Sequence, residues 1–193
     1  MLIICAVGLV ANANAQSDES EWKVEKEGRG ITVETRITDK SPIKEFRAST
    51  VIESPLSDLM AQLKSLENHP EWMIDITHAE NIADEGMVWL YKIKTPFPMK
   101  PRYIVVDVVE ESDDAFYKVT MSSSEVVPED VGNHEHIPIV EGYWHLTAID
   151  ANTTNVSYQF LSDPGLSMPD WLVNMFIVNN PYKTLKNLQD RMQ

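Results

Sequence analysis

Thiol chemistry is the first thing this sequence lacks. Its 193 residues hold one cysteine, Cys5, set in an apolar stretch at the N-terminus, so the rest of the chain has no thiol nucleophile, thiolate metal site or disulfide. Basic charge is scarce too. Sixteen Lys and Arg stand against thirty Asp and Glu, a formal net charge of −14, and the acids are spread along the chain rather than gathered in a tail. Such a field repels phosphate backbones, which argues against nucleic acid as a partner, and it restricts any membrane encounter to a brief, apolar one. Gly-rich phosphate loops and nucleotide or zinc motifs do not occur. Ser122, Ser123 and Ser124 supply hydroxyls, but without a nucleophile-elbow setting or assignable His and Asp partners. His134 and His136 flank Glu135 at a ligand-like spacing and lack a third convergent ligand, so that loop reads as solvated, with no metal and no cofactor. His69 and His145 read as turn or surface residues.

Long apolar runs are confined to residues 2–10, well short of the roughly twenty that a bilayer core requires. Ala11-Asn12-Ala13-Asn14-Ala15 follows with the small-x-small pattern of a signal-peptidase site. The expectation is a leader over residues 1–15 and one domain over 16–193, working in the periplasm or outside the cell. Met1 alone precedes the run, so the usual basic segment is missing and an upstream start stays open.

What is present is period-two patterning with helical stretches at defined places. Residues 31–37 alternate strictly after a Gly28-Arg29-Gly30 turn, and 43–52 read as a second strand with Phe46, Ala48 and Thr50 on one side. Ser54-Pro55 opens a helix whose buried stripe is Leu56, Leu59, Met60, Leu63 and Leu66, and a second short helix begins near Pro70-Glu71-Trp72. Residues 78–82, 87–93, 102–109, 116–121, 140–149 and 155–161 then read as strands joined by short turns, an antiparallel meander. From Ser167 the spacing turns helical, with Trp171, Met175, Val178, Tyr182, Leu185, Leu188 and Met192 on one stripe, and Pro181 predicts a kink just before itself. The fold class is therefore α+β.

Alternation also sorts the side chains by face. Trp89, Tyr91 and Ile93 lie together, as do Arg102, Ile104 and Val106; Tyr117, Val119 and Met121; Trp144 and Leu146; and Tyr158 and Phe160. This aromatic, Met-bearing face, with Trp171 and Met175 of the last helix opposite, is either plain core or the wall of a cavity that the helix covers as a lid.

In this order the chain resembles a START domain, the steroidogenic-acute-regulatory-related lipid-transfer module of the helix-grip superfamily, in its secreted bacterial form. The residues that carry the likeness are Glu21-Trp22 with Gly30-Ile31-Thr32-Val33 and Phe46-Arg47-Ala48; Pro70-Glu71-Trp72; the stretch from Pro96 through Phe97, Pro98, Met99, Lys100 and Pro101 to Arg102-Tyr103; and Gly142-Tyr143-Trp144 running on to Asp163-Pro164-Gly165 and Met168-Pro169. The resemblance implies a curved antiparallel sheet wrapped around a long C-terminal helix, with two shorter helices after the first strands. It implies a monomeric carrier that binds and transfers a lipid or small hydrophobic molecule, with transient membrane contact and no catalysis. The alternative is a polyketide cyclase-like enzyme using the same cavity. Phe97 and Arg102-Tyr103 depart from the family's usual Trp and Arg-Asp. Trp89 and Val108 stand where sterol binders carry a buried acid and base, which favours a wholly apolar chain over a sterol. Arg102 is a candidate grip on a ligand's polar head, or else a partner of one of the many acids. Phe97, Met99, Met168 and Leu172 are the candidate gate.

Overall fold

The computed structural model describes residues 21–84, 86–163 and 170–193. The expected leader over 1–15, Gly165 and the gate candidate Met168 lie outside the described residues.

Local chemistry accounts for the first elements. β1 (Lys23–Gly28) and β2 (Ile31–Thr38) form a hairpin whose two turn residues, Arg29 and Gly30, have φ of 55° and 72°, the paired left-handed geometry that a tight hairpin demands. Along β2, Ile31, Val33 and Thr35 are buried while their neighbours are not, the period-two signature of a half-covered sheet. β3 (Ser41–Ile52) follows, and Pro55, whose fixed φ suits a helix start, leads into α1 (Leu56–Lys64) with Leu59 and Leu63 buried. A 3₁₀ turn over Leu66–Asn68 runs into the short α2 (His69–Trp72).

The meander consists of β4 (Ile76–Asn81), β5 (Val88–Ile93), β6 (Arg102–Ser112), β7 (Phe116–Ser123), β9 (Ile139–Asp150) and β10 (Thr153–Asp163). One element interrupts it. β8, only Glu135–His136, pairs parallel to the start of β6 and sets Glu135 beside Arg102. The strand order is β1-β2-β3-β10-β9-β7-β6-β5-β4, so the last strand of the meander returns to β3 and joins the two halves into one sheet.

The C-terminal helix is built in three parts. α3 (Asp170–Asn174) passes through a π turn at Met175–Asn179 into α4 (Asn180–Arg191), which lies against β2 and β3. The expected kink takes the form of that π turn. Pro181 has no N–H to donate, and the N–H of Asn180 reaches back five residues to the Met175 carbonyl. A π turn uses more residues than an α turn, so the side chains before it are rotated relative to a regular 3.6-residue count. Trp171, expected on the inner stripe, is 61% exposed, and Leu172 beside it is buried.

Candidate functional site

A cavity of about 180 Å³ lies between the sheet and the C-terminal helix. Its floor is aromatic. Trp144 and Tyr158, register partners on β9 and β10, stack with ring centroids 4.0 Å apart, and Phe46 meets the edge of Tyr158 at 5.1 Å. Phe160 completes the group beside Phe46, and Gly142 makes this possible: a Cβ there would stand 2.5 Å from the Phe160 ring and 2.2 Å from the Gln159 carbonyl oxygen. The helical roof is Val173, Phe176, Ile177, Asn180, Pro181 and Thr184.

Polar groups are few and specifically placed. Asn180 Nδ2 donates to Asp75 Oδ2 at 2.8 Å, and the Ile74 N–H donates to Thr184 Oγ1 at 3.2 Å, so the roof is tied to the segment before β4. Arg102 lies in the wall, 6% exposed, with Nη1 2.6 Å from Oε2 of Glu135. The hydrogen bond from Lys100 and the charge of Arg102 hold the Glu135 carboxyl below its ordinary pKa.

Tyr91 also lines the cavity, and its hydroxyl points to a group that sequence reading placed at the surface. His69 is 1% exposed. Its Nε2 lies 3.1 Å from the Leu63 carbonyl, which can only accept, so Nε2 carries the proton and Nδ1 accepts from the Tyr91 hydroxyl at 3.1 Å. Burial pushes the imidazole pKa down to about 4 and the Tyr91 phenol well up, so both are neutral at ordinary pH.

Of the side chains proposed from alternation, Tyr91, Ile93, Arg102, Ile104, Met121, Trp144, Tyr158 and Phe160 line this cavity, and Met99 joins them from the β5–β6 loop. Trp89, Val106, Tyr117, Val119 and Leu146 do not. They share the same sheet face but form closed core with Leu59, Leu63 and Trp72 of α1 and α2, where His69 meets the edge of Trp89 and Lys64 sits over Tyr117. From the helix, Val173, Phe176 and Ile177 stand in the wall in place of Trp171 and Met175, following the rotation at the π turn. Leu172, a gate candidate, is 1% exposed and off the cavity wall, and Phe97 is 95% exposed. Phe46, Met73, Asp75, Ile137 and Asn180 were not anticipated; Phe46 was legible as part of an inward face, but its pairing with Phe160 was not. His134 donates from Nδ1 to the Val131 carbonyl and His136 stacks on Tyr103, and among the described residues no three His, Cys, Asp or Glu gather as a metal would require.

This architecture is shared with solved proteins. A STAR-related lipid transfer protein from Xanthomonas axonopodis superposes with a TM-score of 0.76 at 28% identity, over 89% of this chain and 98% of that one. The chain has the START-type helix-grip fold. An uncharacterized protein of Pseudomonas aeruginosa is 28% identical over 193 residues, 98% of this chain and 93% of its own length. The phosphatidylcholine transfer protein of Mus musculus is 25% identical over 182 residues, 88% of this chain and 82% of that protein. No protein-family model matches the chain.

Proposed function

We propose that this START domain binds a lipid or comparable hydrophobic molecule in the cavity between sheet and C-terminal helix and transfers it between membranes. The carrying observation is the cavity itself, floored by Phe46, Trp144, Tyr158 and Phe160 and roofed by Phe176 and Ile177. At about 30 Å³ each, its volume is worth roughly six waters. A methylene displaces about as much space as a water, so the room as it stands suits a stretch of one alkyl chain. Burying such a chain contributes on the order of 0.8 kcal/mol per methylene, enough for tight binding. Two exposed rings support brief membrane contact: Phe97 stands two residues from the cavity-lining Met99, and Trp171 two residues from Val173.

Binding without chemistry is favoured over a cyclase-type reaction by how the titratable groups are committed. His69 has both ring nitrogens engaged, and Asp75 accepts from Asn180 with Lys94 at 3.7 Å. We also propose that residues 1–15 are an export leader and that the domain works in the periplasm or outside the cell, as a monomer; the apolar run and Ala13-Asn14-Ala15 support this reading. Native mass spectrometry of protein purified from its own source, before and after organic extraction, tests both. A lipid-sized mass that extraction removes, on a chain starting near Gln16, is expected. A protein that arrives empty and stays empty when offered lipid vesicles would overturn the carrier reading.

A further inference from the structure

Arg102 is the one buried cation among the described residues, and its hydrogen bonding is incomplete. Nη1 meets Glu135, but Nε is buried with no hydrogen-bond partner. A guanidinium offers five donors in a planar fork, and leaving one of them dry and unpaired is costly. Two of its neighbours in the wall, Ile93, its register partner on β5, and Ile104, two residues along β6, carry no side-chain acceptor. Its partner is less firmly held. Glu135 is 40% exposed, sits on a two-residue strand and has a second cation in Lys100 at 3.1 Å, so it can turn outward to Lys100 and solvent without losing all compensation.

We propose that Arg102 is the head-group site of this cavity and that the ligand is a single-chain lipid ending in a carboxylate, for which Glu135 is a resident stand-in. This rests on the lipid-binding reading above and names the ligand class within it. The incoming carboxylate accepts from Nε and shares or takes over the edge now facing Glu135, and the alkyl chain runs over the aromatic floor. A carboxylate suits the site because it is planar and carries one charge, the match for a single guanidinium fork. An ester or alcohol accepts more weakly and leaves the buried cation without a counter-charge once Glu135 has moved.

The test compares cis-parinaric acid with its methyl ester by fluorescence titration on the wild type, Arg102→Met and Glu135→Gln, with circular dichroism on each. The acid should bind the wild type about tenfold tighter or more than the ester, the scale of a charge-assisted hydrogen bond. Arg102→Met should remove that preference, so that acid and ester bind with similar affinity. Glu135→Gln, whose amide no longer competes as a carboxylate, should raise acid affinity. Equal affinities in the wild type, a preference that survives Arg102→Met, or displacement of the acid more readily by a lysophosphatidylcholine than by palmitate would each overturn the proposal. If Arg102→Met fails to fold, Glu135→Gln decides, and unchanged or weaker acid binding overturns it. Failure of the wild type to bind either probe would instead overturn the carrier reading.

Discussion

Tyr91 donates its hydroxyl proton to Nδ1 of His69 across 3.1 Å, with the two ring planes 7° apart. The bond joins the cavity wall to α2 and spends the polar end of Tyr91 away from the ligand, so the cavity sees mainly its ring. The loop position of His69 in the sequence concealed this, because a histidine between Asn68 and Pro70 carries every local mark of a surface turn.

Acid sensitivity follows from that burial. The folded imidazole, at a pKa of about 4 against the ordinary 6.5, refuses a proton that the unfolded chain accepts. Its contribution is intact above pH 6.5 and is lost as the pH falls from 6.5 towards 4, reaching roughly 3 kcal/mol. Thermal melts between pH 4 and 7 should show the wild type losing stability over this window and His69→Gln losing less, though starting lower. Parallel curves would mean that His69 does not titrate on unfolding.

Gly142→Ala is expected to destabilise the domain by about 1–3 kcal/mol or more, as overpacking does. The added methyl would meet a backbone oxygen, which cannot swing aside as a side chain can, and the Phe160 ring. Urea denaturation measures the first effect; weakened binding of a fluorescent fatty acid reports displacement of Phe160 from the cavity floor. A variant as stable as its parent would contradict the pairing of Gly142 with Phe160 across β9 and β10.

Asn180→Ala removes the donor that holds Asp75 to the helix, leaving a largely buried carboxylate with Lys94 alone. The expected loss is about 1–3 kcal/mol. Adding Asp75→Asn should recover part of it, because asparagine tolerates the φ of 64° and has no charge to compensate. A double-mutant cycle by denaturant melts gives the coupling; strictly additive effects would show that the two residues do not communicate.

Transfer should depend on the two exposed rings separately from binding. Replacing Phe97 and Trp171 by Ser removes exposed apolar surface that does not line the cavity, and should slow transfer between vesicles roughly tenfold or more if the rings enter the bilayer. Equilibrium affinity for a fatty-acid probe should stay the same. Unchanged transfer rates would assign membrane contact to another surface.

Strand and helix existence was already determined by local periodicity. Alternation marked the strands of the meander, the Leu59 and Leu63 stripe marked α1, and the ordered stretches from Pro70-Glu71-Trp72 to Gly142-Tyr143-Trp144 carried the family likeness. Alternation reports the side of a strand on which a residue lies, but not what covers that side. Only tertiary packing decided that α1 and α2 seal the half holding Tyr117, Val119 and Leu146 and leave Met121, Trp144 and Tyr158 beside a cavity. The same holds for the helix, where Pro181 marked the place of an irregular turn but not that it would be a π turn with Trp171 outward and Phe176 inward. It holds again for Arg102, because Glu135 reaches it from a two-residue strand too short to leave a pattern. Non-local pairing, as of β3 with β10, is chosen by the burial and hydrogen bonding of the whole sheet, and no window of the sequence contains both partners.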